Sequence, residues 1–232
     1  MDISYVSVSP AFLRLPRPSG FPRLKVSLSV VCALGVLMIG LSSLLVAAAD
    51  APLTVIRTTV EQVMAVLQNP AYQGAVHRQE RFAQVQAIVL ARFDTQEMAK
   101  RTLGAHWSMR TAAEQAEFTQ LFTDLVVKSY RQTLDRYTQG VKVMYDQERV
   151  EAPFAEVDTH LSSPAQNEPI AITYRLHTVG DQWLIYDMVI ANVSIVGNYR
   201  AQFDRILGKS GYSELIDILK RKLQELADPP RP

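Results

Sequence analysis

Beyond residue 49 this 232-residue chain contains no cysteine; its single one, Cys32, lies in a long uncharged run near the amino end. The region from Asp50 onward can therefore neither close a disulfide nor hold a metal through thiolate. Charge of one sign is lacking too, with 24 basic residues against 23 acidic ones. Nucleic-acid binding, which rests on clustered lysine and arginine neutralising phosphates, has no footing in that balance. Catalytic signatures are equally scarce. There is no G-x-S-x-G elbow, and His77, His106, His160 and His177 are too dispersed for an H-E-x-x-H metal motif. Gly208-Lys209-Ser210 ends like a phosphate loop, but Phe203 stands where the first glycine belongs and the segment follows a helical pattern.

What is present begins with a leader. Arg14, Arg17, Arg23 and Lys25 face the single acid Asp2, and Val26 to Val46 then run without charge into Ala47-Ala48-Ala49-Asp50. That order of basic, apolar and small residues predicts a secretory signal over 1–49 with cleavage near Ala49. An uncleaved anchor is the alternative, since about 17 to 25 apolar residues span a bilayer, but a globular pattern starts immediately after Asp50. Cys32 sits in no lipoprotein-type cleavage box. Removing four basic residues and one acid from the totals of 24 and 23 leaves 20 and 22, a net charge of −2 over 50–232. A cysteine-free region of this size is expected to be one domain held by its core alone.

Two periodicities divide that domain. Val55, Ile56, Val60, Val63, Met64 and Leu67 recur at helical spacing behind Pro52 and stop at Asn69-Pro70, and Phe82, Val85, Ile88, Val89 and Phe93 form a second stripe. Asp94 with Glu97 predicts a capped helix over 95–103, and Thr111 with Glu114 predicts a second cap before a long helix ending near Gln139. After Gly140 the period falls to two. Four strands follow, around Val141–Tyr145, Ala155–Leu161, Ile170–Thr178 and Trp183–Val196, joined by short turns such as Gly180-Asp181. The last is apolar on both faces, which suggests a central place. Asn198 and Ser213 then open a pair of helices, the first closed by Gly208. Helices, a meandering sheet and helices again make an α+β domain: a curved, antiparallel four-stranded sheet covered by helices, NTF2-like in outline.

One ionisable group stands out. Asp187 lies among Tyr186, Met188, Val189 and Ile190, and a carboxyl in apolar surroundings can act as a proton shuttle. Paired with Tyr174 or Tyr145 it would make a small isomerase-like enzyme; bonded to backbone or to a neighbouring side chain it would be structural. The structural reading is favoured, and His160 and His177, on the polar sides of their strands, are expected to be solvated rather than metal ligands.

Several stretches in order carry a resemblance: Arg92-Phe93-Asp94 with Met98, Leu103-Gly104-Ala105-His106-Trp107, Tyr174-Arg175-Leu176, Trp183-Leu184-Ile185-Tyr186-Asp187, and Asn198-Tyr199-Arg200 with Phe203. Together they resemble the MlaC, or toluene-tolerance auxiliary, family over nearly all of 50–232. The resemblance implies a periplasmic carrier with no cofactor and no catalytic step, holding phospholipid tails between helices and sheet to maintain outer-membrane lipid asymmetry. It further implies exchange with an inner-membrane Mla ABC complex through its MCE subunit, and with an outer-membrane Mla lipoprotein associated with porin.

Candidate tail contacts follow from the two stripes that would face each other. On the long helix they are Phe118, Phe122, Tyr130 and Leu134. The strands offer Val143, Tyr145, Val157 and Thr159, then Ile172, Tyr174, Leu176 and Val189, and the next helix adds Tyr199 and Phe203. Alternation alone does not separate a hollow interior from a filled one.

Overall fold

The computed structural model describes residues 50–74, 76–136, 140–164 and 168–227, with the backbone alone over 132–136. The expected leader, the Leu134 side chain and the terminal Asp228–Pro232 lie outside these. Among the described residues no helix is long and apolar enough to cross a membrane.

Helix α1 spans Pro52–Gln68, α2 Arg78–Leu90, α3 Thr95–Leu103 and α4 Ala112–Arg136. Strands β1 (Lys142–Glu151), β2 (Phe154–Ser162), β3 (Ile170–Val179), β4 (Gln182–Ile190) and β5 (Val193–Ser194) follow, and α5 (Ile195–Ala227) closes the fold. The sheet is antiparallel in the order β1-β2-β3-β4-β5. The α+β architecture is the one expected, with one short strand added.

Local chemistry sets the helix ends. The Thr111–Glu114 box closes in both directions: Glu114 N–H donates to Thr111 Oγ1 at 3.2 Å, and Thr111 N–H donates to Glu114 Oε2 at 2.7 Å. At α3 only half the box forms. Asp94 Oδ1 accepts from Glu97 N–H at 2.9 Å, while Glu97 turns to Arg101 and Lys100. Asp94 N–H is already committed to the Ile185 carbonyl at 2.9 Å. Helix α1 has no side-chain cap of its own, and Glu148 of β1 accepts from Leu53 N–H at 2.7 Å instead. Gly140 has φ +67°, and a Cβ there would stand 2.6 Å from Pro164 Cγ, so glycine is required where the chain turns into β1.

Three sequence expectations are corrected. The run Trp183–Val196 is not one strand: the chain reverses at Ala191-Asn192, whose φ values of 47° and 67° match the two-residue turn favoured in hairpins. β4 is therefore next to last in the sheet, and its outer edge is covered by β5 and by bonds between Ile185 and the 92–94 segment. Second, α5 starts at Ile195 under Ser194, whose Oγ accepts from Gly197 N–H at 2.8 Å, rather than at Asn198. Third, the break in the C-terminal helices falls at Gly211, with φ 79° and ψ −177°, and not at Gly208.

Two solid cores result. One joins α3, α4 and α5 through Leu103, Phe118, Phe122, Phe203, Leu215 and Leu219. The other packs Val55 and Ile56 of α1 on Val157, Leu176, Trp183 and Ile185 of the sheet. The opposite sheet face is charged, Arg149 bridging Glu156 and Asp158 at 2.7 Å each and Arg175 reaching Glu156 at 2.9 Å. The hydrogen bond from Arg149, joined by Arg175, holds the Glu156 carboxyl below its usual range.

Candidate binding cavity

Between the two cores the interior is hollow. A cavity of about 350 Å³ opens among α1, α2, α4 and the inner face of β1–β4, within the roughly 300–1,000 Å³ of small-molecule sites. Close-packed interiors leave few voids larger than a water molecule, whose share of liquid volume is about 30 Å³. This one is an order of magnitude larger. Among the described residues, no wall side chain is Asp, Glu, Lys, Arg or His. Val63 and Met64 of α1, Val89 of α2, Val127 of α4 and Ile172 and Ile190 of the sheet line it while remaining only half-buried. Apolar surface left in that state within a fold gains by acquiring an apolar occupant.

Polar atoms in the wall are few and mostly engaged. Thr59 Oγ1 donates to the Val55 carbonyl at 2.7 Å, and Thr159 Oγ1 donates to the Ile172 carbonyl at 3.2 Å. Burial, reinforced by neighbouring Tyr145, pushes the Tyr174 hydroxyl up to about 12. Burial also raises Tyr145, with Arg57 stacked 4.2 Å over its ring, and Tyr130, to which Tyr199 and Asp187 add. All three phenols are thus neutral near pH 7. Thr123 Oγ1 is buried in the wall and makes no hydrogen bond with any described residue.

Of the expected contact residues, Phe122, Tyr130, Val143, Thr159, Ile172 and Tyr174 line the cavity. Phe118, Phe203 and Tyr199 lie in the helical core, with Tyr199 edge-on to Phe122 at 5.3 Å. Val157 and Leu176 are fully buried in the sheet core, against which Tyr145 packs. Val189 faces the other way. Tyr186 is an extra residue in β4, where the register slips between Arg175 and Leu176, so Met188 and Ile190 take the inner positions. Helices α1 and α2 contribute wall residues that are absent from the expected contacts, although their apolar stripes are visible in the sequence.

The same bulge decides the place of Asp187. It pairs with Arg175, whereas Tyr174 pairs with Met188 at the wall, so Asp187 and Tyr174 project from opposite faces. Asp187 accepts from Ser194 Oγ at 2.6 Å, Val196 N–H at 3.0 Å and Arg175 Nη1 at 3.3 Å. Its carboxylate pins the start of α5 to the sheet, and it does not form the acid–tyrosine pair an isomerase would need with Tyr174. His177 is mostly buried rather than solvated, bonded through Nε2 to Asp94 at 3.0 Å, and His160 pairs with Asp146. Among the described residues no group of acids and histidines forms a metal site.

The description of the MlaC protein family matches residues 57–221. The chain belongs to the MlaC family. Another chain of the MlaC type, the intermembrane phospholipid transport system binding protein of Haemophilus influenzae, is 26% identical over 133 residues, which is 56% of this chain and 60% of that relative. The match thus spans less than two thirds of the curated relative. A solved structure of a phospholipid-binding protein from Ralstonia solanacearum, in complex with a phospholipid, superposes with a TM-score of 0.69 at 24% identity, covering 77% of this chain and 99% of that one. The MlaC domain and that structure share their fold.

Proposed function

We propose that this protein is an exported carrier that encloses the acyl tails of a phospholipid and moves the lipid across the periplasm between the inner and outer membranes. The carrying observation is the hollow itself: about 350 Å³ bounded by a wall in which no described side chain is charged. Each methylene buried from water is worth about 0.8 kcal/mol, so a lipid with about 30 tail carbons needs roughly 24 kcal/mol of gross shelter. A flat apolar patch leaves most of a tail in water, whereas a concave apolar cavity takes it out of water. Membership of the MlaC family and the names of the two similar proteins support the same reading. The basic, apolar and small-residue order of 1–49 fits export with cleavage near Ala49, and the absence of cysteine beyond it makes folding independent of periplasmic oxidation.

On this reading the protein receives or delivers lipid at an inner-membrane Mla ABC complex through its MCE subunit and at an outer-membrane Mla lipoprotein associated with porin. Its task is the upkeep of outer-membrane lipid asymmetry, with no cofactor and no chemical step. The experiment is lipid transfer between donor and acceptor vesicles carrying a fluorescent phospholipid. Transfer should rise in proportion to added protein, at rates well above spontaneous exchange. A protein that leaves transfer at the spontaneous rate and removes no lipid from donor vesicles refutes the carrier.

A further inference from the structure

Because no described side chain of the cavity wall is a cation, any charged part of a cargo must find its partner beside those wall residues. One cation next to the wall is placed for that. Arg131 of α4 reaches across the gap toward α2 and sets its guanidinium carbon 4.9 Å from the centre of the Phe82 ring, and Phe82 belongs to the wall. Many of the other guanidinium groups are committed to carboxylates: Arg101 to Glu97, Arg110 to Glu114, Arg149 and Arg175 to Glu156. Arg131 makes no ion pair or hydrogen bond with any described residue. Gln86, one helical turn beyond Phe82 on α2, also lines the wall and makes no hydrogen bond with any described residue. Two donors with no bond to any described residue therefore stand beside one wall ring.

A guanidinium lying on an aromatic face is held in a plane by stacking, while its N–H edge remains free to make paired bonds to an oxyanion. Phosphate has the matching geometry, and Gln86 adds a neutral donor from the facing helix. We infer that Arg131, with Gln86, binds the phosphate of the cargo lipid, so that this pair makes the protein prefer phosphate-bearing two-tailed lipids over neutral ones. The inference rests on the cavity being the tail site.

Arg131 also lies near the carboxyl end of α4, where a cation favours the helix dipole, and the test must separate that role. The delipidated protein is titrated with phosphatidylglycerol and with diacylglycerol of identical tails, by displacement of a fluorescent fatty-acyl probe. The intact protein should bind phosphatidylglycerol about five-fold or more tightly than diacylglycerol. In Arg131→Met, which keeps an unbranched stem over Phe82, that ratio should fall to about one through loss on the phospholipid side alone; Arg131→Lys should keep part of it. An unchanged ratio in Arg131→Met overturns the assignment, as does an equal loss for both lipids, which would mark a structural role. Glycerol phosphate without tails should displace nothing; displacement that depends on Arg131 would make this a site for free phosphate and overturn the lipid assignment. Failure of the intact protein to bind either lipid would instead overturn the carrier reading itself.

Discussion

Ile172→Trp is expected to abolish lipid retention, lowering affinity at least ten-fold, while leaving the fold intact. Ile172 lies mid-strand on the cavity wall and belongs to neither solid core. An indole there projects into open space that the tails would otherwise occupy. In a close-packed interior the same enlargement costs about 1–3 kcal/mol by forcing neighbours off their rotamers. Here the unfolding free energy of the lipid-free protein should change by less than about 1 kcal/mol, because a cavity is being filled and strands accept aromatic residues. Val189→Ala on the neighbouring strand should leave lipid affinity within about two-fold, because Val189 occupies the face opposite the wall. Equilibrium lipid binding and denaturant unfolding of both variants check the pair of expectations. Strong destabilisation by Ile172→Trp would mean a filled core.

Asp187→Ala should act on stability, not on lipid chemistry. The carboxylate is 3% exposed and receives donors from Ser194, Val196 and Arg175. Its removal strands the Val196 N–H at the first turn of α5 and deprives Ser194 Oγ of its acceptor. An unsatisfied buried donor costs about 1–3 kcal/mol, and the loss of a helix cap about 1 kcal/mol. A total near 2–4 kcal/mol is expected by urea unfolding, with lipid affinity of the folded fraction unchanged. An acid working on a bound substrate would show the reverse pattern.

Much of this fold was legible in the chain because its local signals agree with its tertiary contacts. Thr111-Glu114 capped the helix it announced, and Gly140 and Gly180 mark turns that only a positive φ allows. The reversal at Ala191-Asn192 was hidden because alanine occupies a left-handed position where glycine or asparagine would have flagged a hairpin. Its apolar flanks then read as one continuous strand. The bulge at Tyr186 was equally silent: one inserted residue exchanges inside for outside, so Val189 was assigned to the interior that Met188 and Ile190 occupy.

The site was half legible for a different reason. Alternating apolar residues identify the inner face of a sheet whether or not anything lies beyond it. Phe118 and Phe203 satisfy one another in a solid core, while Tyr130 and Ile172 look into a void. The difference lies in how α1 and α2 stand off from α4 and the strands, a matter of long-range packing that no stripe encodes.

The most direct measurement is made on the protein as purified from cells, without added lipid: organic-solvent extraction followed by mass spectrometry, normalised to protein. Phospholipid with two acyl chains should come off in near-stoichiometric amount, and it should be absent from Ile172→Trp prepared alongside. Protein that yields no lipid, and takes up none when offered vesicles, would contradict the claim that the hollow between the two cores is a chamber for acyl tails.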